Sequence, residues 1–158
     1  MYTIDSNVLI EAKNRYYAFE LAPGFWEWLD HHHRNRTLAS IERIKSELTQ
    51  GEDELTKWTV DHPEFFLPFD APAVDALTDI ASWATRDYDP RVASEFLHAA
   101  DSALVAYGAA HRHTIVTQEV SRSGSKKRIK IPDACASFNV RHMNSFAMLH
   151  DVGIRLVI

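Results

Sequence analysis

The hydrophobic positions of this chain fall into two patterns: short apolar runs, and longer segments with one apolar side. Residues 2–4, 65–67 and 114–117 are largely apolar runs of strand length, and the last is rich in β-branched residues. Between them, apolar residues recur at the three- and four-residue spacing of amphipathic helices. The predicted helices cover residues 8–13, 23–34, 41–50, 53–61, 72–84, 92–97, 99–110, 134–138 and 144–151. Further short strands are predicted at residues 38–39, near residue 140, and over residues 155–158.

Strands that alternate with helices predict an α/β fold, in which helices cover both faces of a parallel sheet. We therefore expect a three-layer α/β/α architecture built on a central sheet of short parallel strands. At 158 residues the chain is expected to form a single domain spanning residues 1–158. Ser40 is predicted to be the N-cap of the helix over residues 41–50, and Gly51 is predicted to end it.

Acidic residues follow two of the predicted strands. Asp5 ends the first strand and is followed by Ser6 and Asn7, and Glu119 comes just after the strand over residues 114–117. Right-handed crossovers bring the carboxyl ends of parallel strands to one edge of the sheet, where ligands bind in open α/β folds. Asp5 is therefore a candidate site residue. The alternative is that Asp5 or Ser6 only caps the helix that follows.

Two further acids lie on helices that could reach the same edge. Glu47 falls at the border of the apolar stripe formed by Ile41, Ile44 and Leu48, and it could equally be an ordinary boundary glutamate. Asp101 opens a helix of small residues, where a charge is rarely buried without a partner. The alternative for Asp101 is an acid favoured by the helix dipole.

The charge distribution separates one segment from the rest of the chain. Residues 121–131 contain no acid and contribute +5 to a net charge of −5, which leaves −10 for the remainder. Their basic side chains are Arg122, Lys126, Lys127, Arg128 and Lys130. The sole cysteine, Cys135, excludes an internal disulfide, and no apolar stretch reaches the length of a membrane span. Since the N-terminal sequence also lacks the pattern of a signal peptide, we expect a cytoplasmic protein.

Four clustered carboxylates would repel one another unless cations neutralise them or some of them hold protons. Oxygen ligands favour hard ions, so one or two Mg²⁺ or Mn²⁺ ions are the expected cofactor. Such ions can activate water for attack on a phosphodiester, with Ser6 and Asn7 orienting Asp5. The basic segment would then bind the phosphate backbone of a nucleic acid that the acidic cluster would otherwise repel.

Four short motifs give these acids a common context, and their order and spacing resemble those of the PIN-domain, VapC-type ribonuclease superfamily. They read IDSNVLI at residues 4–10, IKSEL at 44–48, ADSALVA at 100–106 and TQE at 117–119. The sequence IPDAC at residues 131–135 and the Trp-rich N-terminal half resemble a bacterial PIN-like branch catalogued as a domain of unknown function.

The resemblance implies a PIN-like fold and a metal-dependent endoribonuclease, often the toxin of a type II toxin–antitoxin pair and often a homodimer. It makes Asp5, Glu47, Asp101 and Glu119 the catalytic metal ligands, with Thr117 in support and RNA as the substrate. The family motif has Asp where this chain has Glu119, so Asp133 is a possible substitute ligand. The alternative for Asp133 is an acid at a helix start that follows Pro132.

Two other functions remain open at this point. The chain could be a catalytically weak or inactive PIN-like module that binds metal and nucleic acid and acts in regulation. It could also be a receiver-like or small phosphatase domain with Asp5 as the nucleophile, for which a lysine of residues 126–130 would be needed. Covalent phosphorylation of Asp5 would then be detectable.

Overall fold

Five short strands form one sheet in the computed structural model, which describes residues 1–122 and 124–155. Every neighbouring pair is parallel, and the strand order is β3-β2-β1-β4-β5. The strands are β1 (Tyr2–Ile4), β2 (Leu38–Ile41), β3 (Phe66–Leu67), β4 (Thr114–Val116) and β5 (His142–Met143). The predicted α/β class and parallel sheet are confirmed. The first strand in the sequence is the central one.

Helices flank this sheet and supply most of the remaining ordered backbone. The α-helices are α1 (Ser6–Glu11), α2 (Pro23–Arg34), α3 (Glu42–Leu48), α4 (Glu54–Asp61), α5 (Ala71–Asp87), α6 (Pro90–His98), α7 (Ala100–His111), α8 (Ile131–Ser137) and α9 (Ser145–Val152). A π-helical turn, Ala12–Tyr16, continues α1, and a 3₁₀ turn, Pro63–Phe65, precedes β3. Proline in the first turn of α2, α5, α6 and α8 suits their starts, because that turn leaves its N–H groups unbonded.

The small-residue helix α7 approaches the sheet closely at Gly108. Side chains along it from Ser102 to Gly108 are buried, and α5 packs along it. A Cβ atom at Gly108 would lie 2.7 Å from the Cδ1 atom of Ile115 on β4, so only glycine permits this approach. The other end of this helix begins with Asp101 in its first turn, and the negative charge of Asp101 acts on Asp5 at the end of β1.

Two helix boundaries near the strand ends differ from the sequence prediction. Helix α1 begins at Ser6 rather than at residue 8, so Asp5 occupies its N-cap position. The predicted N-cap Ser40 is wrong, because Ser40 belongs to β2 and α3 begins at Glu42. The buried Ser40 hydroxyl instead donates to the carbonyl oxygen of Ile4 at 2.7 Å. A hydroxyl that could cap a helix thus joins β2 to the central strand β1.

Smaller differences lie near the C-terminus. Helix α8 begins at Ile131, three residues before the predicted start, and the strand expected near residue 140 forms at His142–Met143. The strand predicted over residues 155–158 falls mostly on residues 156–158, which lie outside the described part of the chain. Within the described residues, no helix combines the length and the apolar composition needed to cross a membrane.

Candidate active site

Asp5 lies at the carboxyl end of the central strand and is 1% exposed. Its backbone N–H donates to the carbonyl oxygen of Val116 at 2.9 Å, which fixes it beside the end of β4. Its carboxylate accepts hydrogen bonds from the Thr117 hydroxyl at 2.9 Å and from the Ser6 hydroxyl at 3.4 Å. Although Asp5 holds the N-cap position, its side chain makes no capping bond to α1. Its carboxylate is therefore directed to other groups.

The ionisation of Asp5 reflects other acids close by. Burial, together with the negative charges of Asp101 and Glu119, raises the pKa of the Asp5 carboxyl to about 7, although the Thr117 hydroxyl bond acts against this. Burial and the charges of Glu119 and Glu47 likewise raise the pKa of Asp101 to about 6, and Arg128 opposes that rise. The four acids named from the motifs therefore act on one another electrostatically.

Glu47 reaches this group from α3. Its carboxylate accepts a hydrogen bond from the backbone N–H of Ala100 at 3.3 Å, one residue before Asp101. Ala100 is the first residue of α7, whose first-turn N–H groups have no partners within the helix. Glu47 is partly buried, as expected for a residue at the border of the apolar stripe of α3.

Glu119 approaches from the other side and is held by two donors. Its carboxylate accepts a bond from the Arg128 guanidinium at 3.2 Å and one from the backbone N–H of Ile131 at 2.8 Å. The Glu119 side chain is 12% exposed, whereas that of Arg128 is 65% exposed. Arg128 and Asp101 also line the same small cavity of about 190 Å³. One basic side chain thus lies among the acids and partly neutralises them.

The structure places two other predicted side chains away from Asp5. Asp133 accepts bonds from the backbone N–H of Lys130, at 2.9 Å, and from the Ser121 hydroxyl, so it serves the start of α8. This is the local role that competed with metal binding for Asp133. Asn7 is exposed, and within the described residues its side chain has no hydrogen bond, so its orienting role stays a prediction.

The five basic side chains of the 121–131 segment have different surroundings. Arg128 reaches Glu119, Lys126 lies over the Tyr88 ring at 4.4 Å, and the Lys130 ammonium donates to the carbonyl oxygen of Val120 at 2.8 Å. Arg122 and Lys127 are exposed. The predicted backbone contacts with RNA therefore have a free surface at these two positions, and Arg128 is directed towards the acids.

The donor chemistry of the cluster fits a hard divalent cation. All four side chains offer carboxylate oxygens, and burial together with the neighbouring acids raises the pKa of two of them, Asp5 and Asp101. In the part of the chain that the structure describes, no three Asp, Glu, His or Cys side chains already converge as a ready-made metal site. Glu47 and Glu119 are instead hydrogen-bonded to backbone donors and to Arg128. Binding of an ion would require these two side chains to turn.

Sequence reasoning missed a polar network beside Thr117. The Gln118 amide donates to Glu11 at 3.0 Å and to the Ser145 hydroxyl at 2.9 Å, and it accepts from the Ser145 N–H at 3.1 Å. These bonds join the end of β4 to α1 and α9. The only sequence signal was the position of Gln118 between Thr117 and Glu119.

Comparison with known proteins identifies both a family and a fold. The family model described as a domain of unknown function, DUF4411, matches residues 2–156. No curated protein matches the sequence. Similar solved structures include FitAB bound to an IR36 DNA fragment, with 17% identity over 91% of this chain and 94% of that chain, at a TM-score of 0.55.

Two further solved structures share the architecture. VapBC2 from Rickettsia felis, bound to a DNA fragment from their promoter, has 13% identity over 90% of this chain and 97% of that chain, with a TM-score of 0.53. FitAcB from Neisseria gonorrhoeae has 17% identity over 92% of this chain and 99% of that chain, with a TM-score of 0.52. At these identities the likeness concerns the fold. The chain therefore belongs to the DUF4411 family of domains of unknown function and has the PIN-like fold that its motifs predicted.

Proposed function

We propose that this protein is a metal-dependent endoribonuclease that hydrolyses RNA phosphodiesters, and that it acts as the toxin of a type II toxin–antitoxin pair. The observation that carries the proposal is the placement of the four carboxylates. Asp5 is buried at the carboxyl end of the central strand and bonds to Thr117, two residues before Glu119, while Asp101 opens α7 next to Ala100, whose N–H donates to Glu47. An acid whose pKa is raised to about 7, first by burial and then by neighbouring acids, is costly for a purely structural residue. A bound cation would neutralise these carboxylates, so a metal-binding function explains why the acids are placed together.

Each acid has a distinct part in this proposal. Asp5, fixed by β4 and Thr117, and Asp101, at the start of α7, form the rigid pair that would hold Mg²⁺ or Mn²⁺. Glu47 and Glu119 lie on either side and complete the ligand set once they turn from their present donors. The bound ion would supply activation of water and stabilisation of the leaving oxygen.

The basic segment, residues 121–131, would offset the repulsion between the acidic site and a nucleic acid. A cluster of carboxylates repels a polyanion, and the chain outside residues 121–131 carries −10. Arg122 and Lys127 are free to bind phosphates, and Arg128 could exchange its bond with Glu119 for one to the RNA backbone. This arrangement supports a nucleic acid as the substrate.

A second function is favoured by the tethering of Glu119. Because Arg128 already neutralises this acid and the carboxylates do not converge, the chain could be an inactive PIN-like module that binds metal and nucleic acid. This regulatory module would bind Mn²⁺ and RNA without cleaving the RNA. Asp5 as a phosphatase nucleophile is less well supported, because the segment's described side-chain contact near the acids comes from Arg128 rather than from a lysine.

A cognate antitoxin and a homodimeric state belong to the same proposal. Two of the similar solved structures are described as bound to DNA, in one case to a fragment of their promoter. By analogy, this chain would be neutralised by a small protein encoded beside it. Co-expression with the product of the adjacent gene should then relieve any growth arrest that this chain causes.

The direct test is cleavage of a mixed RNA substrate with Mg²⁺ or Mn²⁺ and without metal. The native chain should cleave only with metal, and Asp101→Asn should lose the activity. Asp79→Asn is the matched control, because Asp79 is an exposed acid on α5, far from the motifs in sequence. Equal cleavage by the native chain and Asp101→Asn would refute the site. Metal and RNA binding by the native chain without cleavage of any RNA would favour the regulatory module.

A further inference from the structure

A groove opens beside the acidic cluster, on the side of β5 and α9. Its volume is about 720 Å³, within the range of roughly 300–1,000 Å³ that is typical of small-molecule sites. Thr117 and Glu119 form part of its wall, so the groove is continuous with the acids. Phe146, His142 and Asn144 line the opposite side. A group bound there would lie beside Thr117 and Glu119.

Two exposed aromatic rings meet beside this groove, and one of them, Phe146, lines it. Phe146 is 48% exposed and Tyr16 is 49% exposed, and their rings meet edge to face at 5.3 Å between centroids. Tyr16 is the last residue of the π-helical turn that continues α1. Such turns cost stability and occur frequently at functional sites. Val120, on the groove wall, is 72% exposed, so an apolar surface faces solvent beside the cluster.

The aromatic surface is held in a rigid frame. Ser145, which precedes Phe146, bonds to Gln118 through both its backbone N–H and its hydroxyl. Gln118 also bonds to Glu11, one residue before the π turn. The positions of Tyr16 and Phe146 are therefore tied to the end of β4, where Thr117 contacts Asp5. A flat ligand on these rings would be positioned relative to the acids.

The charges at the groove select the part of a nucleic acid that can enter it. Three acidic side chains line it: Glu11, Glu119 and Asp133. The arginines paired with Glu11 and Glu119, Arg15 and Arg128, are not among the lining residues, so the wall itself disfavours a phosphate. The exposed cations Arg122 and Lys127 belong instead to the neighbouring loop. A base is uncharged and planar, and stacking on an aromatic ring suits any of the four bases. Bases are free to stack in this way only where the strand is unpaired.

We propose that this groove binds one unpaired nucleobase beside the scissile phosphodiester, with Phe146 as its stacking surface and Tyr16 as the edge that supports Phe146. The inference rests on the proposed ribonuclease function, because it takes RNA as the substrate. It adds that the RNA must be single-stranded at this position. The backbone then follows the loop that carries Arg122 and Lys127, and the base turns into the groove.

The test measures binding separately from cleavage. Asp5→Asn provides an inactive background in which a fluorescent single-stranded RNA can be titrated by anisotropy. Adding Phe146→Ala should weaken binding about tenfold, in line with the loss of one stacked base, whereas Phe146→Tyr should retain it. Val74→Ala is the matched control, because Val74 is a large apolar residue with 49% exposure on α5. The affinity for duplex RNA should not depend on Phe146.

A second readout uses the active chain. An abasic nucleotide next to the cleaved bond should slow cleavage by the native protein and have little further effect in Phe146→Ala. Tyr16→Ala gives a smaller loss of single-strand affinity and serves as a second variant if Phe146→Ala does not fold. Retention of the native melting temperature is checked for every variant.

The outcomes separate this inference from the function on which it rests. RNA cleavage by the native chain, with unchanged RNA affinity in Phe146→Ala and Tyr16→Ala, overturns the base site and leaves the ribonuclease standing; the groove would then suit a protein partner. Phe146-dependent binding of single-stranded RNA without any cleavage supports the base site and refutes the ribonuclease. The absence of both RNA binding and cleavage refutes both.

Discussion

Asp5 and Asp53 occupy the same position at the start of two different helices, and their surroundings are opposite. Both hold the N-cap position in extended backbone conformation. Asp53 accepts the backbone N–H of Thr56 at 2.9 Å and pairs with Lys13 at 2.6 Å, and these partners, Lys13 foremost, lower the pKa of its carboxyl to about 2. Asp5 makes no capping bond, and burial beside other acids raises the pKa of its carboxyl to about 7.

The difference shows that a cap and a site residue cannot be told apart from local sequence. An acid followed by a helix is equally compatible with both roles. What separates them is the chain that packs around each carboxylate: Lys13 at Asp53, and Asp101 and Glu119 at Asp5. Asp53 contributes to stability when it is ionised, whereas ionised Asp5 costs stability. A cost of this kind is expected where function requires the charge.

The largest expected difference between Asp5 and Asp53 is in RNA cleavage, when each negative charge is removed in turn. Asp5→Asn should lower metal-dependent RNA cleavage by at least about 100-fold, because it removes a proposed ligand of the ion that activates water. Asp53→Asn should leave cleavage within about twofold of the native rate, since an exposed substitution far from the site rarely changes the chemistry. Single-turnover cleavage assays with Mn²⁺ measure both. Comparable losses in the two variants would mean that Asp5 is no more than a structural cap.

The second effect is the pH dependence of stability in the metal-free protein. The folded pKa of Asp5, about 7, lies above its unfolded value of 3.8, so the native state binds the additional proton. Stability should therefore fall as the pH rises from about 4 to about 7, by on the order of a few kcal/mol, and then level off. Asp5→Asn should make this slope smaller, and the part that remains between about pH 4 and pH 6 should come from Asp101, whose pKa is raised to about 6.

The same experiment on Asp53 should give the opposite sign. Its folded pKa, about 2, lies below the unfolded value of 3.8, so its contribution is present above pH 4 and lost as the pH falls towards 2. Urea unfolding in the presence of a chelator, repeated at several pH values, measures both slopes. A native protein whose stability rises between pH 4 and pH 7, with Asp5→Asn following it, would contradict the assignment for Asp5.

A smaller effect is expected from removing the cap itself. Asp53→Ala should lower the free energy of unfolding by about 1 kcal/mol, the usual cost of losing an N-cap acceptor. It should do so without changing the Mn²⁺ concentration needed for cleavage. Asp53→Asn, which keeps the capping oxygen but not the charge, is the control, and it should recover most of the loss. Thermal unfolding followed by circular dichroism is sufficient.

The smallest effect concerns Arg128, a basic residue that reaches the acidic cluster in the described part of the chain. Arg128→Gln frees Glu119, so the Mn²⁺ affinity should increase a few-fold, by less than about 1 kcal/mol, as expected for a largely exposed ion pair. Lys127→Gln makes the same charge change on an exposed side chain of the same loop and should alter the affinity less. Calorimetric titration measures both. Equal changes in the two variants would mean that only the overall charge of the loop matters.

The sequence predicted those parts of the fold that depend on local pattern. The strands around Ile4 and Ile115 and the helix α2 that begins at Pro23 follow from apolar runs and from proline chemistry. The exceptions are set by contacts that are distant in sequence. Ser40 resembles a helix cap, yet its hydroxyl bonds to the Ile4 carbonyl 36 positions away, and it becomes part of a strand.

The candidate site shows the same division. The four acids could be selected from the sequence because Asp5 and Glu119 follow strands, Asp101 opens a helix, and Glu47 borders an apolar stripe. In the structure each of them lies within electrostatic reach of at least one of the others. The bond from Arg128 to Glu119 could not be foreseen, since it depends on how the loop folds back. The π-helical turn that carries Tyr16 has no sequence signature comparable to a proline or a cap.

The central position of β1 also sets the order of events during synthesis. Tyr2 pairs with Leu38 on one side and with Thr114 on the other, and the Thr117 hydroxyl bonds to Asp5 across 112 positions of sequence. Because a protein is synthesised from its N-terminus, Asp5 leaves the ribosome before α7 and β4 do. Its carboxylate can contact residues of these two elements only after both have been synthesised. Contacts of such separation form late in folding. A nascent chain of this protein therefore has no assembled acidic cluster until α7 and β4 have left the ribosome.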